Sequence, residues 1–184
     1  MTLMIISGPA EEPVTLAEAR AHLRLDSANE DALLTALITA ARVVLESETR
    51  RAFVTQNWRL LLDEWPGGTV TLPLAPVGAV TAVTIDGTQS LDASRYDVAL
   101  AGDAPRIVAK GGWPAPSRRV VGIAIDFTAG YGAASAVPAP LKQALLMLVA
   151  HWFEKREPVA FGETTEEIPL TVAALIAPYR RIRL

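Results

Sequence analysis

Between Leu33 and Leu45 apolar residues recur every three or four positions. Leu33, Leu34, Leu37, Ile38, Ala41, Val44 and Leu45 fall on one stripe of an α-helix, and Glu30, Arg42, Glu46 and Arg50 fall largely off it. Ser27 stands three residues before Glu30, the spacing of a capping box that satisfies two orphan backbone N–H groups. The spacing predicts a long helix over residues 29–52, its stretch from Glu30 to Arg51 being roughly 33 Å long at 1.5 Å per residue. So long an apolar stripe needs a partner. The best one lies far along the chain, where Leu141, Ala144, Leu145, Leu148 and Trp152 again repeat at helical spacing. Pro138 and Pro140 mark the start of that second helix and Pro158 its end, giving residues 139–157. A shorter helix, residues 15–25, opens on a second box, Thr15 and Glu18, with Leu16, Ala19 and Leu23 on one face.

Between the two long helices the period falls to two. Val121, Ile123, Ile125 and Phe127 alternate with Gly122, Ala124 and Asp126, a strand buried on one face. Asp86-Gly87 is a tight-turn dipeptide after Val77, Val80, Val83 and Ile85. Residues 95–98 and 106–108 flank a Gly- and Pro-containing loop and predict a hairpin. The fold class is therefore α+β: a helical core of three helices with an antiparallel β insertion over residues 54–130, in a single domain. Residues 1–13 look like an extended arm, because Gly8-Pro9 and Pro13 block regular structure. Residues 158–184 form a C-terminal tail, in which residues 172–177 could make a turn or two of helix.

Composition narrows the classes. A length of 184 residues, 51% hydrophobic and 20% charged, suits one globular domain with a real core. The absence of cysteine excludes disulfides and thiolate chemistry. A net charge of −3 is too mild for bulk attraction to DNA or to anionic lipid. The apolar runs are too short for a signal h-region or a membrane span, so the chain reads as soluble and made in the cytoplasm.

Candidate chemistry is sparse. His22 sits near a helix end, and His151 and Glu154 share a helix face without the further ligands a metal needs. Gly130-Tyr131-Gly132 is half of a phosphate loop and is better read as a loop leaving the sheet. Asp86, Asp92, Asp97 and Asp103 are spaced for turns, not for a calcium loop. Trp58, Trp65, Trp113 and Trp152 are core or interface anchors. Arg50-Arg51 and Arg118-Arg119 are doublets near segment ends, suited to solvated faces or to contacts with DNA or a neighbouring subunit. Tyr179, Arg180, Arg181, Ile182, Arg183 and Leu184 mix large apolar groups with Arg after Pro178, the composition of an interface anchor. No catalytic, metal or cofactor site is expected, and a small hydrolase is disfavoured because no reaction centre assembles from these residues.

Several stretches, taken in order, carry a resemblance. They are Thr15-Leu16-Ala17-Glu18-Ala19 with His22-Leu23-Arg24, the long helix with Ala40-Ala41-Arg42, and Gln56-Asn57-Trp58. Next come Leu72-Pro73-Leu74-Ala75-Pro76-Val77, then Phe127-Thr128-Ala129-Gly130-Tyr131-Gly132, then the run from Val137-Pro138-Ala139-Pro140 to Arg156-Glu157. Together they resemble the head–tail connector, or adaptor, proteins of long-tailed phages and gene transfer agents, over roughly residues 14–157. Phe153 stands where that family commonly has Tyr, and Lys155 where it has a polar amide.

The resemblance implies a structural virion protein rather than an enzyme, made in the bacterial cytoplasm and located in the virion neck. It implies a ring of copies, twelve in number, beneath the capsid portal, continuing the DNA channel and joining head to tail. The partners it implies are the portal protein, a stopper or tail completion protein, other copies of the chain, and DNA held non-specifically, with no membrane and no cofactor. Residues 179–184 would dock on the portal, and Arg50, Arg51, Arg118 and Arg119 would face the channel or a neighbouring subunit. The alternative is another neck or tail completion protein of a phage-like particle.

Overall fold

A computed structural model of the chain describes residues 1–155 and 168–181. The fold is mixed α and β, as expected, and divides into two compact units. One comprises Met1–Ala10 and Arg50–Gly132, the other Glu11–Thr49 and Ala133–Leu184.

The first unit is built of strands: β1 (Thr2–Ser7), β2 (Gln56–Leu62), β3 (Thr69–Thr71), β4 (Val77–Ile85), β5 (Gln89–Ser90), β6 (Tyr96–Ala99), β7 (Arg106–Ala109) and β8 (Ile123–Ala129). Five form an antiparallel sheet in the order β1-β2-β8-β4-β5, and three form a second in the order β3-β7-β6. The period-two segment becomes the central strand β8. Its Ile123, Ile125, Phe127 and Ala129 are buried, and Phe127 lies opposite Trp58 on one side and Val80 on the other. On the opposite face Asp126 lies across from Arg59 and accepts from its Nε and Nη2 at 2.6 and 2.7 Å. That forked pair is partly exposed, so it adds little stability, yet it favours the register that places Phe127 inward. Val70, Tyr96 and Ile107 of the small sheet share one core with Leu60, Ile125 and Phe127. Trp65 and Trp113 stack at a centroid distance of 4.2 Å beside that core, and their indole N–H groups donate to Pro114 O and Gly68 O.

The turn after β4 is the one read from Asp86-Gly87, both residues having positive φ (54° and 79°). The 95–98 and 106–108 pairing is also present, as β6 and β7. The N-terminal segment differs from the arm expected. Residues 2–7 pair with β2, Leu3 opposite Leu60 and Ile5 opposite Trp58. Sequence periodicity missed this strand because Leu3, Met4, Ile5 and Ile6 are consecutive apolar residues, and an edge strand buries only part of each.

Gly130 is also not a flexible spacer. Its φ is +135°, and a Cβ there would stand 2.6 Å from the backbone of Val54 and Thr55. Gly130 N–H donates to Pro76 O at 2.9 Å, Tyr131 N–H to Phe53 O at 2.9 Å, and Thr55 N–H to Gly132 O at 2.9 Å. The Gly-Tyr-Gly stretch is thus a clamp between backbone segments, which answers the phosphate-loop comparison.

The second unit contains α1 (Leu16–Leu23), α2 (Asp31–Thr49), α3 (Ala139–Glu154) and α4 (Leu170–Ile176). The Thr15–Glu18 capping box forms: Glu18 N–H donates to Thr15 Oγ1 at 3.1 Å and Thr15 N–H to Glu18 Oε2 at 2.6 Å. The box expected at Ser27 does not cap α2, because the helix starts at Asp31 after a turn in which Asp31 N–H donates to Ala28 O. As the pattern required, α2 packs on α3. Leu34, Ile38, Ala41 and Leu45 are buried on α2, and Leu141, Ala144, Leu145, Leu148 and Val149 on α3. The α2 stripe is narrower than expected. Leu33 is exposed, while Arg42, expected off the stripe, is only 7% exposed. Its guanidinium sits between Glu12 (2.7 Å) and Glu46 (2.9 Å). Burial opposes the Arg42 charge, but the hydrogen bond to Glu12 and both carboxylate charges outweigh it and raise its pKa. Helix α4 buries Val172 and Ile176 and packs on α3. The last two residues of the helix expected over 139–157 lie outside the described residues.

Gly130→Ala places a methyl group against rigid backbone at a positive φ and should cost roughly 2–4 kcal/mol. Gly68→Ala, with open space around its Cβ position, should cost well under about 1 kcal/mol. Urea denaturation of the two variants checks the contrast.

Candidate assembly interface

Residues with catalytic potential are dispersed. His22 lies on α1 and His151 in the last turn of α3. Among the described residues no group of three or more His, Asp or Glu could hold a metal ion, and no helix is long and apolar enough to cross a membrane. The four aspartates read as turn residues all do local work, Asp97 from within β6. Asp92 accepts from Ser94 N–H, Asp97 pairs with Lys110, Asp103 pairs with Arg51, and Asp86 ties down a loop. A cleft of about 200 Å³ beside the start of α1 contains Glu11 and Glu12, but both are engaged, by Ala134 N–H and by Thr39 and Arg42.

The candidate arginines separate. Arg51 is buried to 8% exposure and its guanidinium is bonded to Asp103, which commits it to the loop between β6 and β7. Arg50 is exposed, with positive φ, and its carbonyl accepts from Ala75 N–H. Arg118 and Arg119 are exposed on the loop between Trp113 and β8. Arg118 extends over the β4–β5 turn, its Nη1 3.1 Å from where a Cβ on Gly87 would stand.

That loop is rigidly held. One carboxylate, Asp86, accepts from Ser117 N–H (2.9 Å), Ser117 Oγ (2.7 Å) and Arg118 N–H (2.9 Å). The bond from the Ser117 backbone, then that from Arg118, holds the Asp86 carboxyl below its ordinary pKa. Asp63 accepts from Val121 N–H at 2.7 Å, fixing a β-branched residue at φ 52°, where such side chains are strained. The result is a fixed surface bearing Arg118, Arg119, Val120 and Val121, the valines 71% and 43% exposed. Sequence reading found the two arginines but not the carboxylates that hold their loop, which bind Ser117 and Val121 from 31 and 58 residues away.

The first residues of the C-terminal anchor follow α4 directly. Ala177–Tyr179 forms a 3-10 turn containing Pro178, and Arg180 pairs with Glu48 of α2 at 2.6 Å. Both side chains of that pair are about two-fifths exposed. Arg181 is half-buried, and Ile182, Arg183 and Leu184 lie outside the described residues.

Sequence reading also overlooked the run of exposed apolar residues on β1. Met4, Ile5 and Ile6 are 46–53% exposed on a strand at the edge of its sheet, with no charged residue to blunt it.

Exposed arginines on a locked loop, an apolar sheet edge and dispersed titratable groups are the features of an assembly component. The sequence profile of the head completion proteins (HCP) matches residues 12–182. The chain belongs to the head completion protein family. Among solved structures it is similar to a chain in "Neck of empty GTA particle computed with C6 symmetry", with 34% identity and a TM-score of 0.84, covering 100% of this chain and 97% of that one. It is similar to a chain in the virion of a native gene transfer agent (GTA) particle at 33% identity and a TM-score of 0.83, with the same coverage. A third similar chain, in the neck of a native GTA particle computed with C12 symmetry, has 33% identity and a TM-score of 0.82. No curated protein matches the chain. Family membership bears out the resemblance to phage-like connector proteins that the ordered sequence stretches carried.

Asp86→Asn keeps a residue that tolerates positive φ but removes the charge its three donors face. Amide exchange over residues 117–121 should accelerate about tenfold, the loss expected for a charge-assisted bond. Because folding lowers the Asp86 pKa, its contribution is complete above the ordinary value of 3.8 and disappears as pH falls through the lower folded value. Hydrogen exchange should therefore find the wild-type loop protected at pH 5 and released only in stronger acid.

Proposed function

We propose that this head completion protein is a structural, non-catalytic subunit of the neck of a phage-like particle, at the head–tail interface. The observation that carries the reading is the full-length likeness, at a third of residues identical, to chains of gene transfer agent necks. Copies of the chain form a ring under the portal, continue the DNA channel, and offer a platform for a stopper or tail completion protein. Rotational symmetry in the neck structures of its relatives supports a closed, head-to-tail arrangement, the kind that rings require. The family description also suits a neck completion protein that does not touch the portal, and the portal experiment below separates the two.

In this reading the exposed Arg118 and Arg119, with Arg50, supply weak contact to passing DNA or to a neighbouring subunit. Arg51 contributes by holding the loop that carries Asp103. Residues 179–184 dock on the portal. The Arg180–Glu48 pair is exposed and worth at most about 1 kcal/mol, so Arg180 can exchange it for a portal carboxylate at little cost.

Deleting residues 178–184 should leave the fold intact and reduce portal attachment severely. Electron microscopy of purified chain mixed with portal tests this: normal ring occupancy by the truncated chain would exclude the anchor role, and no ring with the full chain would exclude the adaptor reading. DNA binding should be sequence-independent, should fall steeply between 50 and 200 mM salt, and should weaken further in Arg118→Ala/Arg119→Ala; filter binding on unrelated duplexes measures it.

A further inference from the structure

The five-stranded sheet has two open edges, and they are complementary. β1 is one edge along its whole length. At the other, β5 covers only the end of β4, pairing with Thr84 and Ile85. Over residues 77–82 no described strand lies outside β4. Each open stretch is six residues long, and neither contains a charged residue. Sheets that must remain solitary protect such edges with Lys, Pro, charges or coverage. Here β1 instead presents Met4, Ile5 and Ile6 to solvent, and β4 exposes only small, uncharged residues over its open stretch, Gly78, Ala79 and Thr81.

Strand direction decides what these edges can accept. The strands β1, β2, β8 and β4 are successively antiparallel, so β1 and β4 run in opposite directions. Rotation about a ring axis brings β1 of one copy beside β4 of the next with the sheets in the same orientation. The new pair is then antiparallel, like every other pair in the sheet. An odd number of full-length strands would have made it parallel. The two bulges of β4, between Val77 and Ala79 and between Val80 and Ala82, bend this edge and supply the curvature that a closed ring needs.

We infer that β1 of one copy adds as an antiparallel strand to residues 77–82 of β4 in the neighbouring copy, making the sheet continuous around the ring. The inference rests on the ring proposed above and specifies its lateral contact. The occupant of the apolar β1 edge is thus a second copy of this chain, held by main-chain hydrogen bonds and by β1 side chains packed over the small residues of β4. Twelve copies with four strands each, about 4.8 Å apart, give a circumference of about 230 Å and a diameter of about 70 Å before strand tilt, ample for a DNA channel.

The chain has no cysteine, so disulfide trapping reads only introduced thiols. Met4→Cys and Ile6→Cys are each combined with Ala79→Cys or Thr81→Cys, all at exposed positions, and the single variants are prepared alongside. Particles assembled with each variant are oxidised and their neck proteins separated without reductant, while imaging establishes whether the ring is present. At least one double variant should give a ladder of multimers, with the single variants remaining monomeric. Cross-linked dimers from Met4→Cys or Ile6→Cys alone would overturn the inference in favour of a two-fold β1–β1 contact. Normal rings with no ladder in any double variant would overturn it while leaving the ring reading intact. Wild-type necks lacking a ring of this chain would overturn both.

Discussion

Burial of the alternating side chains of β8 is the constraint on which the sheet unit depends. Ile123, Ile125 and Phe127 are covered because β2 and β4 flank them on both sides in register. A slip of one residue would turn Asp126 inward and Phe127 outward. Every other feature of the unit inherits this register. It places Arg59 across from Asp126, sets Trp58 opposite Phe127, and carries the chain into Gly130, where only glycine fits between neighbouring backbones. The helical unit follows a different rule, with the α2 stripe covered by α3 and a buried arginine accepted only because two carboxylates meet it.

Much of this was legible in the sequence, and the boundary between what was and was not is physical. Patterns that one segment satisfies by itself were readable: the stripe of α2, the alternation of β8, the Asp86-Gly87 turn, the Thr15–Glu18 box. Features that need two distant segments were not. Arg42 looked solvent-facing because Glu12, thirty residues earlier, supplies its charge balance. Ser27 satisfied the spacing of a cap, but the turn at residues 28–30 postponed the helix to Asp31. β1 lacked alternation because its partner β2 begins some fifty residues later and covers only one side of it. The candidate interface was half legible for the same reason. Arg118 and Arg119 stand out as a doublet, while the carboxylates that fix them are remote.

The charged side chains divide into those held within the fold and those left on its surface. Buried and half-buried ion pairs engage Arg42, Arg51 and Arg59, while Arg118 and Arg119 are exposed side by side on one locked loop. The two open sheet edges are uncharged, so a strand that paired with either would have no edge charge to desolvate.

The division of the chain into units has a consequence for how it can be made and cut. Neither unit is a continuous segment: the sheet takes residues 1–10 and 50–132, and the helices take 11–49 and 133–184. During synthesis β1 leaves the ribosome before its partner exists, and α2 emerges some ninety residues ahead of α3. The two units are therefore interleaved in time as well as in sequence, and no single stretch excised from the chain contains one of them whole without a part of the other. A nascent chain can complete its larger sheet once β8 has been made, at residue 129, but the α2 stripe stays exposed until α3 ends at residue 154.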